Sequence, residues 1–167
     1  MQRRVMFGSL IVFVGAAAAV SLLLPRELPA RGDGSRPRGD PAAFVSGVVR
    51  LIVADDYAAA WTSLNPAHKQ VAPRREYVEC ERRSLMQSRL RSVEVMRVAN
   101  RLLRIPGASR SVRAKAVTLR LTVENVALRE KETFEVTFNA VPAGSVWTWI
   151  LTPARYALYR DDACSRG

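Results

Sequence analysis

The chain has 167 residues, of which 49% are hydrophobic and 25% charged, a balance that is typical of a folded protein and excludes an intrinsically disordered chain. The formal net charge is +11, and Arg supplies 23 of the 26 basic residues. Residues 1–40 hold six Arg against three acidic residues, so most of the positive charge belongs to the rest of the chain. That remainder is long enough for one domain with its own core.

The chain begins with a hydrophobic segment. Residues 5–24 contain no charge and follow a short basic start. As a helix, twenty residues span about 30 Å, which matches the hydrocarbon thickness of a bilayer. This length favours an uncleaved signal-anchor over residues 1–25, and a signal peptide cleaved near Ala16–Ala19 is the alternative. We therefore predict contact with the membrane through residues 5–24.

A linker follows the hydrophobic segment. Residues 26–41 are rich in Arg, Pro and Gly, a composition typical of a flexible, solvated tether. Arginines flank the hydrophobic segment on both sides, so the positive-inside rule does not decide which side of the membrane the domain occupies. The domain itself is predicted over residues 42–167.

Three helices are predicted at the start of the domain. An apolar stripe with helical spacing predicts the first helix over residues 42–54. Asp55 and Asp56 are expected to cap a second helix, which ends at Pro66. Pro73 is expected to open a third helix that continues to Arg83.

Four strands are predicted next, because apolar residues now recur at every second position instead of at the helical spacing of 3.6 residues. They cover residues 92–105, 112–123, 134–138 and 146–152. The first is expected to be bulged near Val95 and Met96, where the alternation slips, and residues 156–159 are expected to continue the last strand beyond Pro153. Helices followed by antiparallel strands predict an α+β fold, with three helices packed on one face of a curved, mainly antiparallel four-stranded sheet.

Two segments resemble a known superfamily. The stretch Asp55-Asp-Tyr-Ala-Ala-Ala-Trp-Thr-Ser-Leu-Asn-Pro66, followed by Arg75-Glu-Tyr-Val-Glu-Cys80, is similar to the opening of extracytoplasmic bacterial domains in the nuclear-transport-factor-2-like superfamily. That superfamily includes ketosteroid isomerases and SnoaL-type cyclases. The resemblance covers about residues 42–164 and implies a cone with an apolar cavity at its open end. It implies no particular activity, because this fold hosts enzymes, ligand binders and interaction modules.

Five aromatic residues are candidates for the wall of such a cavity, although their inward spacing favours packing in the core. They are Tyr57, Trp61, Tyr77, Trp147 and Trp149.

The two cysteines of the chain are Cys80 and Cys164. In an exported domain they can form a disulfide bond, and the resemblance implies that the third helix and the C-terminal end of the sheet lie close enough for it. Two unrelated thiols are the alternative. These cysteines and the resemblance are the grounds for expecting the domain on the extracytoplasmic side of the cell membrane, anchored by a single span or, alternatively, secreted after cleavage.

Candidate catalytic residues are few. His68, the single histidine, is expected in an exposed turn without a catalytic partner. Asp55, Asp56 and Glu94 are the acids that an isomerase-like reaction could use, but no second pocket group can be matched to any of them. No pattern predicts a cofactor site or a metal site.

A concentration of positive charge follows the predicted helices, and its densest part consists of seven arginines. They are Arg82, Arg83, Arg89, Arg91, Arg97, Arg101 and Arg104. No nucleic-acid-binding motif accompanies them, so nucleic acid is not expected as a partner. Anionic lipid headgroups or acidic envelope polymers are the partners that such a surface would suit outside a membrane. Solvated arginines without a specific role are the alternative.

The sequence as a whole predicts a non-catalytic, membrane-anchored extracytoplasmic domain that binds a protein partner or an envelope component. A binder of a small apolar ligand or lipid is the first alternative, and a cavity filled by side chains would argue against it. An isomerase- or cyclase-type enzyme is the second alternative, and it requires a buried carboxylate that faces the cavity.

Overall fold

The computed structural model describes residues 36–83, 88–106 and 111–164. The chain divides into two units, residues 1–31 and 32–167, and all described residues belong to the second. The predicted hydrophobic span and most of the linker lie outside the described residues. Among the helices of the described part, none is long and apolar enough to cross a membrane.

Five helices occur within the described ranges. They are α1 (Pro41–Val53), α2 (Tyr57–Thr62), α3 (Pro66–Val71), α4 (Arg74–Arg82) and α5 (Pro153–Arg160). The first, second and fourth correspond to the predicted helices. Asp56 caps α2 as expected, since its side chain accepts a hydrogen bond from the Ala59 amide. Asp55 does not cap α2: it has a left-handed φ of 58° and accepts a hydrogen bond from the Tyr57 hydroxyl.

Two helices differ from the sequence prediction, which had three helices in all. Residues 156–159 were expected in a strand but belong to α5, and α3 was not predicted. Both begin with proline directly after a capping side chain: Asn65 accepts from the Ala67 amide, and Thr152 accepts from the Arg155 amide. Proline suits the first helical position, because the amide hydrogen that it lacks has no partner there in any case. Pro66 and Pro153 therefore start helices. The sequence prediction instead ended the second helix at Pro66 and continued the last strand beyond Pro153.

The sheet has four antiparallel strands within the described residues, in the order β1-β2-β3-β4. They are β1 (Ser88–Arg104), β2 (Ser111–Asn125), β3 (Lys131–Ala143) and β4 (Val146–Trp149). The register of β1 against β2 shifts between Val95 and Arg97, which confirms the predicted bulge, and shifts again between Leu90 and Ser92. The α+β class and the four-stranded antiparallel sheet are thus as predicted.

The helices pack on one face of the sheet. The predicted alternation of β2 is confirmed, since Val117, Leu119 and Leu121 are buried in a cluster that also contains Val45 and Val49 of α1. The opposite face carries polar cross-strand pairs, including a 3.0 Å hydrogen bond between the hydroxyls of a threonine in β2 and one in β3. One apolar face and one polar face are expected of a sheet that is covered on a single side.

A disulfide bond joins α4 to the segment that follows α5. Cys80 and Cys164 lie with their Cα atoms 5.8 Å apart, so the predicted pairing is confirmed. Arg83 also donates a hydrogen bond of 2.5 Å to the carbonyl oxygen of Cys164. The C-terminal segment is therefore attached to α4 both covalently and through a polar contact.

Candidate functional site: a cavity with one polar end

An open cavity of about 500 Å³ is lined by helices and strands from both halves of the domain. Its walls come from α1, α2, α4, the end of β1, the middle of β3 and the segment from Trp149 to Arg155. Six of the apolar residues that line it are Ile52, Leu103, Val136, Phe138, Trp149 and Leu151. Both the volume and the apolar walls are within the range of sites that bind small molecules.

Glu81 supplies a buried carboxylate to this lining. One of its oxygens accepts a 2.6 Å hydrogen bond from the Tyr159 hydroxyl, and the other forms a 2.7 Å ion pair with Arg155. The two partners come from α5, whereas Glu81 comes from α4. The contacts compensate for much of the cost of removing a carboxylate from water.

Tyrosines surround this polar end of the cavity. Tyr57 and Tyr77 line the cavity, and the ring centroid of Tyr77 lies 5.9 Å from that of Tyr159. Burial raises the pKa of Tyr57, and the nearby Asp55 carboxylate raises it further. Burial also raises the pKa of Tyr77 and of Tyr159, with Glu81 adding to both effects. All three hydroxyls are therefore neutral at physiological pH and suited to hydrogen bonding rather than to accepting a proton as a phenolate.

Two arginines near the end of β1 also line the cavity. Arg101 and Arg104 are exposed, and neither guanidinium group forms a hydrogen bond or ion pair with another described residue. Asn139 adds a neutral polar group to the wall, and its buried Oδ1 has no hydrogen-bond partner within the described ranges. The charged groups of the lining are thus three guanidinium groups, including that of Arg155, and the single carboxylate of Glu81.

The five candidate aromatic residues fall into two groups. Tyr57, Tyr77 and Trp149 line the cavity. Trp61 instead donates a hydrogen bond to the Ala72 carbonyl, and the Lys69 ammonium lies 4.6 Å from its ring centroid. Trp147 donates to a main-chain carbonyl near the start of the described chain. These last two tryptophans fix neighbouring backbone segments and are not part of the cavity wall.

His68 is not exposed, contrary to the prediction. It is fully buried on α3, where its Nδ1 accepts a 3.0 Å hydrogen bond from the Leu151 amide and its ring packs 4.9 Å from that of Tyr156. Burial lowers the pKa of His68 to about 4, so the ring is neutral near pH 7. An accepting Nδ1 requires the proton on Nε2, which has no hydrogen-bond partner among the described residues.

The acids considered from the sequence do not line the cavity. Glu94 is exposed on β1 with an Arg120 nitrogen 3.6 Å away, Asp55 is bonded to Tyr57, and Asp56 is a helix cap. Sequence reasoning missed Glu81. A signal for it existed, because Glu81 lies four residues after Tyr77 and shares its side of α4.

The seven arginines do not form one compact patch. Two follow each other at the end of α4, and the other five are distributed along β1, which at about 3.3 Å per residue extends for tens of ångströms. Arg91 is paired with Glu124 of β2, and Arg83 is bonded to the Cys164 carbonyl. Within this set, only Arg101 and Arg104 line the cavity.

Known proteins do not identify this site. No family model matches the chain, and no curated protein matches it. Within residues 36–83, 88–106 and 111–164, no group of His, Cys, Asp or Glu side chains is arranged to hold a metal ion. The chemistry that the described residues offer is an apolar chamber with hydrogen-bonding and charged groups in its wall, which suits the binding of a small molecule.

Proposed function

We propose that this chain is a membrane-anchored, non-catalytic extracytoplasmic domain whose cavity binds a small, largely apolar ligand. The observation that carries the proposal is the chamber of about 500 Å³, which is lined by Phe138, Trp149, Leu151 and other apolar side chains. A domain that served only as a rigid scaffold would gain stability by filling this space. The resemblance to cone-shaped domains with an apolar cavity supports the same interpretation.

The geometry favours ligand binding over catalysis. Both oxygens of Glu81 are engaged, one by the Tyr159 hydroxyl and the other by Arg155. A general base needs an accessible, suitably oriented oxygen within hydrogen-bond reach of the substrate, and both oxygens of Glu81 already have partners in the protein. An isomerase- or cyclase-type activity is the weaker alternative, since Glu81 does meet its requirement for a buried carboxylate at the cavity.

A protein partner is the second candidate, favoured by the exposed surface of β1. This strand is at the edge of the sheet, and Val95, Val98 and Leu102 expose 43%, 41% and 70% of their surface. An edge strand with exposed apolar side chains can pair with another chain. Such binding would not use the cavity, and a substitution that fills the cavity would leave it intact.

The proposal is tested by filling the cavity. Val136→Phe adds volume in the cavity wall, whereas Val126→Phe makes the same change at a position that is 61% exposed and outside the lining. The full-length protein in phosphatidylcholine nanodiscs is irradiated with a photoactivatable hexadecanol, and labelled peptides are identified by mass spectrometry. We expect label on the peptides that contain Phe138 and Trp149, and a several-fold loss in Val136→Phe alone.

Thermal unfolding of both variants controls for damage to the fold. Absence of label from cavity peptides in the unsubstituted protein, both with this probe and with the corresponding hexadecanoate, would refute ligand binding. So would equal labelling of a folded Val136→Phe protein and the Val126→Phe control.

A further inference from the structure

The charges that line the cavity are not balanced. Glu81 is paired with Arg155 at 2.7 Å, so these two groups largely neutralise each other. Arg101 and Arg104 then remain, and neither guanidinium group forms an ion pair or hydrogen bond with any described residue. The cavity therefore has two positive charges in its wall that no described carboxylate compensates.

These two charges select among apolar ligands. A neutral ligand in the cavity would gain no charge-assisted hydrogen bond from the guanidinium groups, which are hydrated at their exposed positions. A cationic ligand would be repelled. An anionic group can accept paired hydrogen bonds from a guanidinium group, and these charge-assisted bonds are stronger than neutral ones.

We propose that the ligand is an anionic amphiphile, with its apolar chain or ring in the cavity and its carboxylate or phosphate group paired with the guanidinium group of Arg101 or of Arg104. This inference rests on the proposed function and specifies the chemistry of the ligand. The apolar walls contribute most of the binding, because burial of apolar surface is the larger favourable contribution. The arginines determine the orientation of the ligand and discriminate against its neutral counterpart.

Two sources could supply this chemistry. One is a free long-chain carboxylate, and the other is an anionic phospholipid from the membrane to which the chain is predicted to be anchored. Both present an anionic group joined to an apolar chain, and competition experiments can tell them apart.

The test compares two probes that differ only in charge. Full-length protein in phosphatidylcholine nanodiscs is labelled with a photoactivatable hexadecanoate or with the corresponding hexadecanol, and label on the cavity peptides is quantified. We expect stronger labelling by the carboxylate. The double variant Arg101→Gln/Arg104→Gln should lower carboxylate labelling by up to about fivefold, because loss of an ion pair at an exposed site weakens binding by that much. Hexadecanol labelling should change little.

A matched variant controls for loss of charge. Arg82→Gln/Arg97→Gln removes two exposed arginines that do not line the cavity and should leave both labelling patterns unchanged. Suppression of carboxylate labelling by free dodecanoate would identify a soluble ligand. Suppression by phosphatidylglycerol added to the nanodiscs would identify a membrane lipid. Either result supports an anionic amphiphile.

The outcomes separate this inference from the proposed function. Equal labelling of the cavity by both probes, unaffected by Arg101→Gln/Arg104→Gln, would leave the cavity a ligand site and overturn the anionic specificity. An equal loss in both double variants would also overturn it, because the effect would then reflect net charge alone. If neither the carboxylate probe nor the alcohol probe labels the cavity, the proposed function itself is contradicted.

Discussion

Glu81 and His68 are two buried polar side chains that differ in how many of their polar atoms have a hydrogen-bond partner. Glu81 has a partner for each of its oxygens. His68 uses Nδ1 to accept from the Leu151 amide, while Nε2 lacks a described partner. A buried carboxylate without partners would be severely destabilising, whereas a neutral imidazole with one hydrogen bond is tolerable. The charged carboxylate therefore depends on both of its partners from α5, whereas the neutral imidazole depends on one hydrogen bond.

The buried His68 predicts a pH dependence of stability. Its pKa is about 6.5 in the unfolded chain and about 4 in the folded protein. Between these values the unfolded chain binds a proton that the folded protein does not, so the free energy of unfolding falls as the pH drops from about 6.5 to 4. The full loss is about 3 kcal/mol. Urea unfolding of the full-length protein in mild detergent, followed by tryptophan fluorescence across this range, measures it.

The variant His68→Asn isolates this contribution. The side-chain oxygen of asparagine can replace Nδ1 as the acceptor from the Leu151 amide, but asparagine does not titrate. We expect the free energy of unfolding of the variant to decline less steeply between pH 6.5 and 4. Protonation of carboxylates accounts for the decline that remains. Parallel pH profiles for the two proteins would exclude His68 as a source of the decline.

At the scale of elements, α4 and α5 form one structural unit. Thr152 caps α5, which then presents Arg155 and Tyr159 to Glu81 of α4. The disulfide bond closes this arrangement by joining α4 to the segment after α5. The polar end of the cavity is therefore built by two short helices that are held together covalently.

The disulfide bond is expected to contribute substantially to stability. Its cysteines are 84 residues apart, and closing a loop of that length in the unfolded chain corresponds to at most about 4.5 kcal/mol. A reductant should therefore lower the urea midpoint of the oxidised protein. The double variant Cys80→Ala/Cys164→Ala should unfold at a low midpoint that the reductant does not change. If the reductant shifts neither midpoint, the bond is not formed in the protein or does not stabilise it.

At the scale of the whole molecule, the chain combines a domain that contains a cavity with a predicted membrane segment. Residues 5–24 lie outside the described residues, so membrane anchoring stays a prediction from their uncharged length. It is relevant to the proposed ligand, because an anchored domain would be held next to a supply of amphiphiles. The extracytoplasmic side likewise stays a prediction, supported by the paired cysteines.

Membrane anchoring can be tested by a single substitution that introduces a charge into the hydrophobic segment. Arginine at the centre of a membrane helix costs about 2.5–3.5 kcal/mol in insertion, so Val14→Arg should shift part of the protein from the membrane pellet to the soluble fraction after alkaline extraction. Val126→Arg introduces the same charge in an exposed turn of the domain and should leave the protein in the pellet. Recovery of the unsubstituted protein in the soluble fraction would contradict an uncleaved anchor.

Local sequence patterns were enough to predict several helices and strands. Alternation predicted β2, because its buried and exposed side chains differ in polarity at every second position. A slip in that alternation predicted the bulge of β1 near Val95. The apolar stripe of α1 predicted the face that packs on the sheet. Each of these patterns lies within about fifteen neighbouring residues, so no distant partner is needed to interpret it.

The polar end of the cavity and the environment of His68 could not be predicted from local patterns, because both depend on contacts between distant segments. Glu81 meets Arg155 and Tyr159 across 74 and 78 residues, and His68 meets Leu151 across 83. Those contacts depend on α5, and the local sequence left residues 156–159 open to extension of the last strand. Packing against α3 and α4 favours the helix, because it buries Tyr159 and satisfies Glu81 together. The function proposed for this chain therefore depends on contacts between residues far apart in sequence, which a single chain's local patterns do not reveal.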